Sequence, residues 1–164
     1  MTKTSAAAIP TPSDLDESAA MTVAEALKII LANSYAIYLK TKNFHWHVSG
    51  PYFRDYHRLL DEQAAEILAA ADAIAERARK TGNTTIRSIG DIARHQTIKD
   101  NDAEFVTPQD MLGELRADNL HMVGSLRRAK EVADQAKDNA TSGLTDTWTD
   151  EAERRAWFLF EISR

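Results

Sequence analysis

The sequence predicts an all-α protein, a four-helix bundle with a short extra helix in its central connection. Three observations carry this reading. Apolar residues recur at helical spacing over four long segments. Breakers stand between the segments, at Gly50-Pro51, Gly82-Asn83 and the stretch from Asn139 to Gly143. No run alternates apolar and polar residues as a half-buried strand would, and no segment repeats another.

Residues 1–20 are rich in Ala, Ser, Thr and Pro, so they are expected to form a flexible arm, with the bundle over residues 21–164. Thr22 and Glu25 have the spacing of a capping box and are expected to start the first helix. Val23, Leu27, Ile30, Leu31, Ile37 and Tyr38 keep its period to about Val48. The second helix runs from about Arg54 to Lys80 on a stripe of Phe53, Tyr56, Leu60, Ile67 and Ile74. Ile86, Ile89 and Ile92 mark the short helix in the long connection that follows. Thr107-Pro108-Gln109-Asp110 opens the third long helix, with Thr as cap, Pro at the first helical position and an acid at the third. Leu112, Leu115, Met122, Leu126, Ala129 and Ala133 continue it in heptad-like register. Asn139 to Gly143 reads as a turn, and the fourth helix carries Leu144, Trp148, Ala152, Leu159 and Ile162. Four such helices with one long connection in the middle make a four-helix bundle.

Composition narrows the chemistry. A chain of 164 residues is long enough for one buried core. Cysteine is absent, so disulfides and thiolate metal sites are excluded. No apolar run approaches the ~20 residues of a membrane span, and the first residues lack the apolar stretch of a secretory signal, so the cytoplasm is the expected location. A net charge of −5 argues against a generally DNA-coating surface.

Five residues point to metal chemistry: His45, His57, Asp61, Asp72 and Glu76. His57/Asp61 and Asp72/Glu76 are i,i+4 pairs, so each pair projects from one side of the second helix. At ~100° per residue Asp72 lies only ~20° round from Asp61, so all four share a stripe flanking the core. Asp61 and Asp72 are nevertheless ~16 Å apart along the axis, too far for one ion to bind both within one helix. The two pairs are placed about a midpoint near Ile67. Two copies of this helix packed antiparallel across a two-fold axis there would bring His57/Asp61 of one copy to Asp72/Glu76 of the other, giving two equivalent shared sites. Ala64, Ala65, Leu68 and Ala69 lie between the pairs and are mostly small enough for close approach. His45, at the end of the first helix, could complete the set. Imidazole with carboxylate suits iron, and also zinc or manganese; an assembly whose ligands merely hold an interface metal such as zinc is a competing reading.

His45-Trp46, then Gly50, His57, Asp61, Asp72 and Glu76, resemble the Dps proteins, the ferritin-like miniferritins of bacteria. The resemblance runs from about Met21 to the C-terminus and rests on the pattern H-W-x10-H-x3-D-x10-D-x3-E. It implies a ferritin-like bundle assembled as a dodecameric shell, with iron ferroxidase centres at the two-fold interfaces. There His45, His57 and Asp61 of one chain would face Asp72 and Glu76 of its mate. It implies oxidation of Fe(II), characteristically by hydrogen peroxide, and storage of ferric mineral that protects the cell from oxidative damage. Trp46, beside a ligand, is either a trap for an oxidising equivalent or simple packing. The family's other activity, non-specific DNA binding at the nucleoid, needs clustered Lys and Arg. Residues 1–20 carry Lys3 against Asp14, Asp16 and Glu17, which counts against it.

Other candidates are read as structural. His47 should point away from His45, and His95 and His121 show no acidic partner at helical spacing. Asp134, Asp138, Asp146 and Asp150 cluster near the last turn, where acidic residues of Dps-like shells line pores that admit Fe(II). Ala156 to Phe160 is expected to mix bundle core with a subunit contact.

Overall fold

The computed structural model describes residues 11–164. Five helices follow in order: α1 (Glu17–His47), α2 (Phe53–Lys80), α3 (Ile89–His95), α4 (Pro108–Gln135) and α5 (Asn139–Ile162). The chain forms two helical hairpins, α1 with α2 and α4 with α5; α1 also packs on α4, and α3 lies against α1. The α2–α5 side is the most sparsely packed. The expected all-α bundle with its short extra helix is what the chain forms.

Several boundaries differ from the sequence reading. Helix α1 begins at Glu17, inside the expected arm, and its cap is Asp16, whose carboxylate accepts the Ala19 N–H at 3.0 Å. Thr22 is not a cap; its hydroxyl donates to the Ser18 carbonyl within the helix. Asp16 is the better N-cap, Glu17 complements the helix dipole, and buried Ala20 gives the added turn a packing contact. The first ten residues of the expected arm lie outside the described region. Asn139 to Gly143 is the first turn of α5 rather than a loop. The reversal sits at residues 136–138, where Lys137 takes φ 57° and Asp138 caps α5 by accepting the Thr141 N–H at 3.0 Å. Thr107 caps α4 as expected, accepting the Asp110 N–H at 3.1 Å.

Helix α1 is long and apolar enough to cross a membrane by length and composition alone, which qualifies the sequence-based expectation. Its apolarity has another cause: more than half of that window is buried within the bundle.

The core consists of two apolar clusters. One includes Ile30, Ile37, Ile67, Met122, Leu126 and Trp148; the other includes Phe44, Tyr56, Leu60, Leu112, Leu115 and Leu159. Between them each long helix contributes a buried polar residue: Thr41, Gln63, Asn119 and Arg155. Arg155 Nε donates to Asn119 Oδ1 at 2.8 Å, and Gln63 Nε2 donates to the Arg155 carbonyl at 3.2 Å. These contacts tie the helices together in register, although Arg155 Nη1 is buried without a hydrogen-bond partner, 3.9 Å from Glu66. The second cluster packs beneath the histidine pair.

Candidate metal centre

The α1–α2 hairpin brings two of the candidate ligands, His45 and His57, together. Val48 ends α1 in extended conformation, Gly50 turns the chain at φ 108°, and α2 starts three residues later. This turn sets the last part of α1 beside the first of α2, and buried Phe44, Tyr56 and Leu60 hold the two helices together. His45 and His57 meet across the hairpin with rings stacked at a centroid distance of 3.8 Å and an interplanar angle of 20°.

Their backbone contacts are reciprocal. His45 Nδ1 lies 2.7 Å from the His57 carbonyl oxygen, and His57 Nδ1 lies 2.8 Å from the His45 carbonyl oxygen. A carbonyl only accepts, so both Nδ1 atoms carry hydrogen. In the neutral rings this directs both lone pairs to Nε2, the tautomer a metal ligand needs. His45 is buried, His57 is half-buried, and Phe53 leans on the His57 ring at 4.9 Å.

Asp61, one turn beyond His57, joins this pair. Its Oδ1 is 3.9 Å from His45 Nε2 and 2.7 Å from Lys42 Nζ. The Lys42 hydrogen bond and charge, helped by the two imidazoles, hold the Asp61 carboxyl below the usual carboxylate range.

Asp72 and Glu76 are not brought to the histidines. Both are exposed on the same stripe of α2, together with Ala65, Leu68 and Ala69. Ala64 belongs to the core instead, one position inside the stripe. Glu76 has only an i,i+4 contact to Lys80 at 3.5 Å, and Asp72 makes no side-chain hydrogen bond or ion pair among the described residues. Within this single chain no three of the described His, Asp and Glu residues converge closely enough to hold a metal ion.

The surroundings are apolar and open: Trp46 is 58% exposed, Tyr52 62% and Phe53 43%. The exposure of Phe53 corrects its placement on the core stripe of α2. It starts the helix, where its side chain covers His57 rather than the bundle interior.

Two residues that bear on the site are not evident from the pattern of ligands. Lys42 precedes His45 by three positions and Trp46 by four, so it shares their face of α1. Phe53 stands at the same four-residue interval before His57.

The remaining candidates separate clearly. His47 is exposed and bonds back to the Asn43 carbonyl. His95 does have an acidic partner, contrary to expectation: Asp91, one turn earlier on α3, lies 3.5 Å away. His121 Nε2 meets the Thr97 hydroxyl at 2.8 Å. Asp138 is buried and committed to the α5 cap and to Arg77, so it faces away from solvent. Asp134, Asp146 and Asp150 are exposed. Of the final apolar stretch, Ala156 and Leu159 are core, while Trp157, Phe158 and Phe160 are exposed.

The family model for the ferritin-like domain matches residues 24–163. The chain is 31% identical over 137 residues to the DNA protection during starvation protein of Brevibacillus brevis, covering 84% of this chain and 91% of that protein. It is 30% identical over 155 residues to DNA protection during starvation protein 1 of Deinococcus radiodurans, covering 90% and 72%. The fold superposes on the crystal structure of an archaeal Dps homologue from Halobacterium salinarum with a TM-score of 0.90 at 26% identity, covering 100% of this chain and 93% of that one.

Proposed function

The chain belongs to the Dps family of ferritin-like miniferritins, and from that premise we propose that it is a ferroxidase and iron-storage protein, oxidising Fe(II) with hydrogen peroxide and retaining the ferric product as mineral. One observation supports this reading above the others. His45 and His57 hold each other's Nδ1–H on backbone carbonyls, which leaves both Nε2 lone pairs free, and His45 Nε2 lies 3.9 Å from Asp61 Oδ1.

Each residue then has a role. His45, His57 and Asp61 bind iron from one side, and Asp72 and Glu76 of a two-fold related subunit bind it from the other, with Ala65 and Ala69 letting the helices approach. Two Fe(II) ions give one electron each to a hydrogen peroxide molecule. Its O–O bond breaks, and both oxygens leave as water after taking up two protons, without free hydroxyl radical. Carboxylates favour the harder Fe(III) product, while neutral imidazoles keep Fe(II) binding weak enough for turnover. The exposed Trp157, Phe158 and Phe160 fit a further subunit contact in a dodecameric shell that encloses the mineral. The fold and the absence of cysteine are compatible with a cytoplasmic location.

The test is stopped-flow absorbance of Fe(II) mixed with peroxide. A His57→Ala, Asp61→Ala protein that still assembles is expected to lose fast oxidation; an unchanged rate would sink the reading. A second reading comes from the names of the two relatives, which speak of DNA protection. Direct DNA binding is disfavoured here by the acidic residues Asp14, Asp16 and Glu17 against Lys3 near the N-terminus. Retardation of plasmid by the intact assembly at physiological salt would reverse that preference.

A further inference from the structure

We propose that Lys42 is a tethered cation that competes with iron at Asp61, its ammonium shifting away from the carboxylate as metal binds. The proposal rests on the reading of His45, His57 and Asp61 as iron ligands. Lys42 Nζ lies 2.7 Å from Asp61 Oδ1, the same oxygen that stands 3.9 Å from His45 Nε2. An ammonium only donates. A metal–oxygen bond of ~2 Å at Oδ1 would put two cations on one atom, within a few ångströms of each other. The second carboxylate oxygen lets both cations stay on Asp61, but their mutual repulsion makes the ammonium oppose the metal there.

The geometry also supplies a place for it to go. Lys42 Nζ already stands 5.8 Å from the Trp46 ring centroid, inside the range of a cation–π contact. Its side chain is 19% exposed, so the stem is packed and only the head is free to choose between two partners. In the metal-free chain the ammonium rests on Asp61. With metal bound at Asp61 it shifts onto the Trp46 face, which gives this exposed indole a role apart from packing. The other end of the stripe has no such device. Lys80 and Glu76 are 62% and 61% exposed and 3.5 Å apart, so Lys80 can swing into water at no cost to a neighbouring ligand.

Calorimetric titration of Co(II) into the assembled protein tests this without relying on turnover. Lys42→Met is expected to bind Co(II) roughly fivefold more tightly than wild type, the ratio set by removing one exposed ion pair. Lys42→Arg is expected to restore the weaker binding, and native mass should be the same for all. Trp46 emission, isolated by difference against Trp46→Phe, is expected to change on addition of Zn(II), a closed-shell ion that does not itself quench, in wild type and to change much less in Lys42→Met. Should Lys42→Met fail to assemble, Lys42→Gln removes the same charge. Equal affinity for a neutral variant and wild type, both binding Co(II), overturns the competition and leaves the metal site standing. No Co(II) binding by any of them overturns the site and the competition together.

Discussion

The two ends of the exposed stripe on α2 are built differently. At the N-terminal end, His57 is locked to His45 by two reciprocal backbone contacts, and Asp61 is held by Lys42. At the C-terminal end, Asp72 and Glu76 are exposed and almost without partners. In the first half α1 supplies side chains, His45 and Lys42, that meet the candidate ligands of α2; in the second half no side chain of another helix meets Asp72 or Glu76 among the described residues. Ligands whose positions are fixed before metal arrives impose geometry, and unengaged carboxylates adapt to it. On the proposed function, a site divided in this way would gain its full set only when two subunits meet.

The strongest way to break this comparison is to exchange the halves between subunits. Neither His45→Ala, His57→Ala nor Asp72→Asn, Glu76→Gln should retain fast Fe(II) oxidation, each falling by at least about a hundredfold. Co-assembled from a mixture of unfolded subunits, the two inactive proteins should recover about one-quarter of the wild-type rate, because half of the random dimers are mixed and each mixed dimer has one intact site. No recovery in assemblies shown by mass to be mixed would place all the ligands of a site in one chain.

The second test concerns what fixes the C-terminal end. Glu76 contacts only Lys80, but the next residue is firmly held: Arg77 Nη2 bonds Asp138 Oδ1 at 2.9 Å, and Arg77 Nε bonds the Thr141 hydroxyl at 2.8 Å. The α2 backbone is thus anchored to the α4–α5 reversal while its acids stay exposed. Asp138→Ala removes a helix cap and strands a largely buried guanidinium, so it is expected to cost ~3 kcal/mol in chemical denaturation. Burial pushes the Asp138 carboxyl up, but bonds from the Thr141 hydroxyl and N–H and from Arg77 outweigh it and hold the group below its ordinary value. A depressed folded pKa stabilises the fold at pH above the unfolded carboxylate value of ~3.9 and loses that contribution as pH falls through the folded one. The gap between wild type and Asp138→Ala should therefore be full at pH 7 and narrow below about pH 4.

Much of this was legible in the sequence, for definite reasons. Helical spacing alone placed Asp61 and Asp72 on one stripe, and the 28-residue α2 bears that register. The caps were read less well. Thr22 with Glu25 imitates a capping box, yet Asp16 three residues before Ala19 caps α1, because Ala-rich segments extend a helix once a start is available. The buried layer of Gln63, Asn119 and Arg155 was invisible, since a pattern search follows apolar positions and treats polar ones between them as surface. The reciprocal histidine contacts were equally hidden. They depend on how the hairpin turns at Gly50, which spacing does not specify. Lys42 could have been found by asking which charges share a face with a ligand histidine.

The smallest expected effect makes the sharpest contrast between the ends. Lys80→Ala removes the cation nearest Glu76, as Lys42→Met removes the one nearest Asp61. The Glu76–Lys80 pair is an exposed i,i+4 contact at 3.5 Å, worth about 0.3 kcal/mol or less. Denaturation midpoints and Co(II) affinity should both be indistinguishable from wild type. If Lys80→Ala instead tightened Co(II) binding as much as Lys42→Met, lysines would restrain carboxylates at both ends. The difference between an organised half and an adaptable half would then lie in the histidine pair alone.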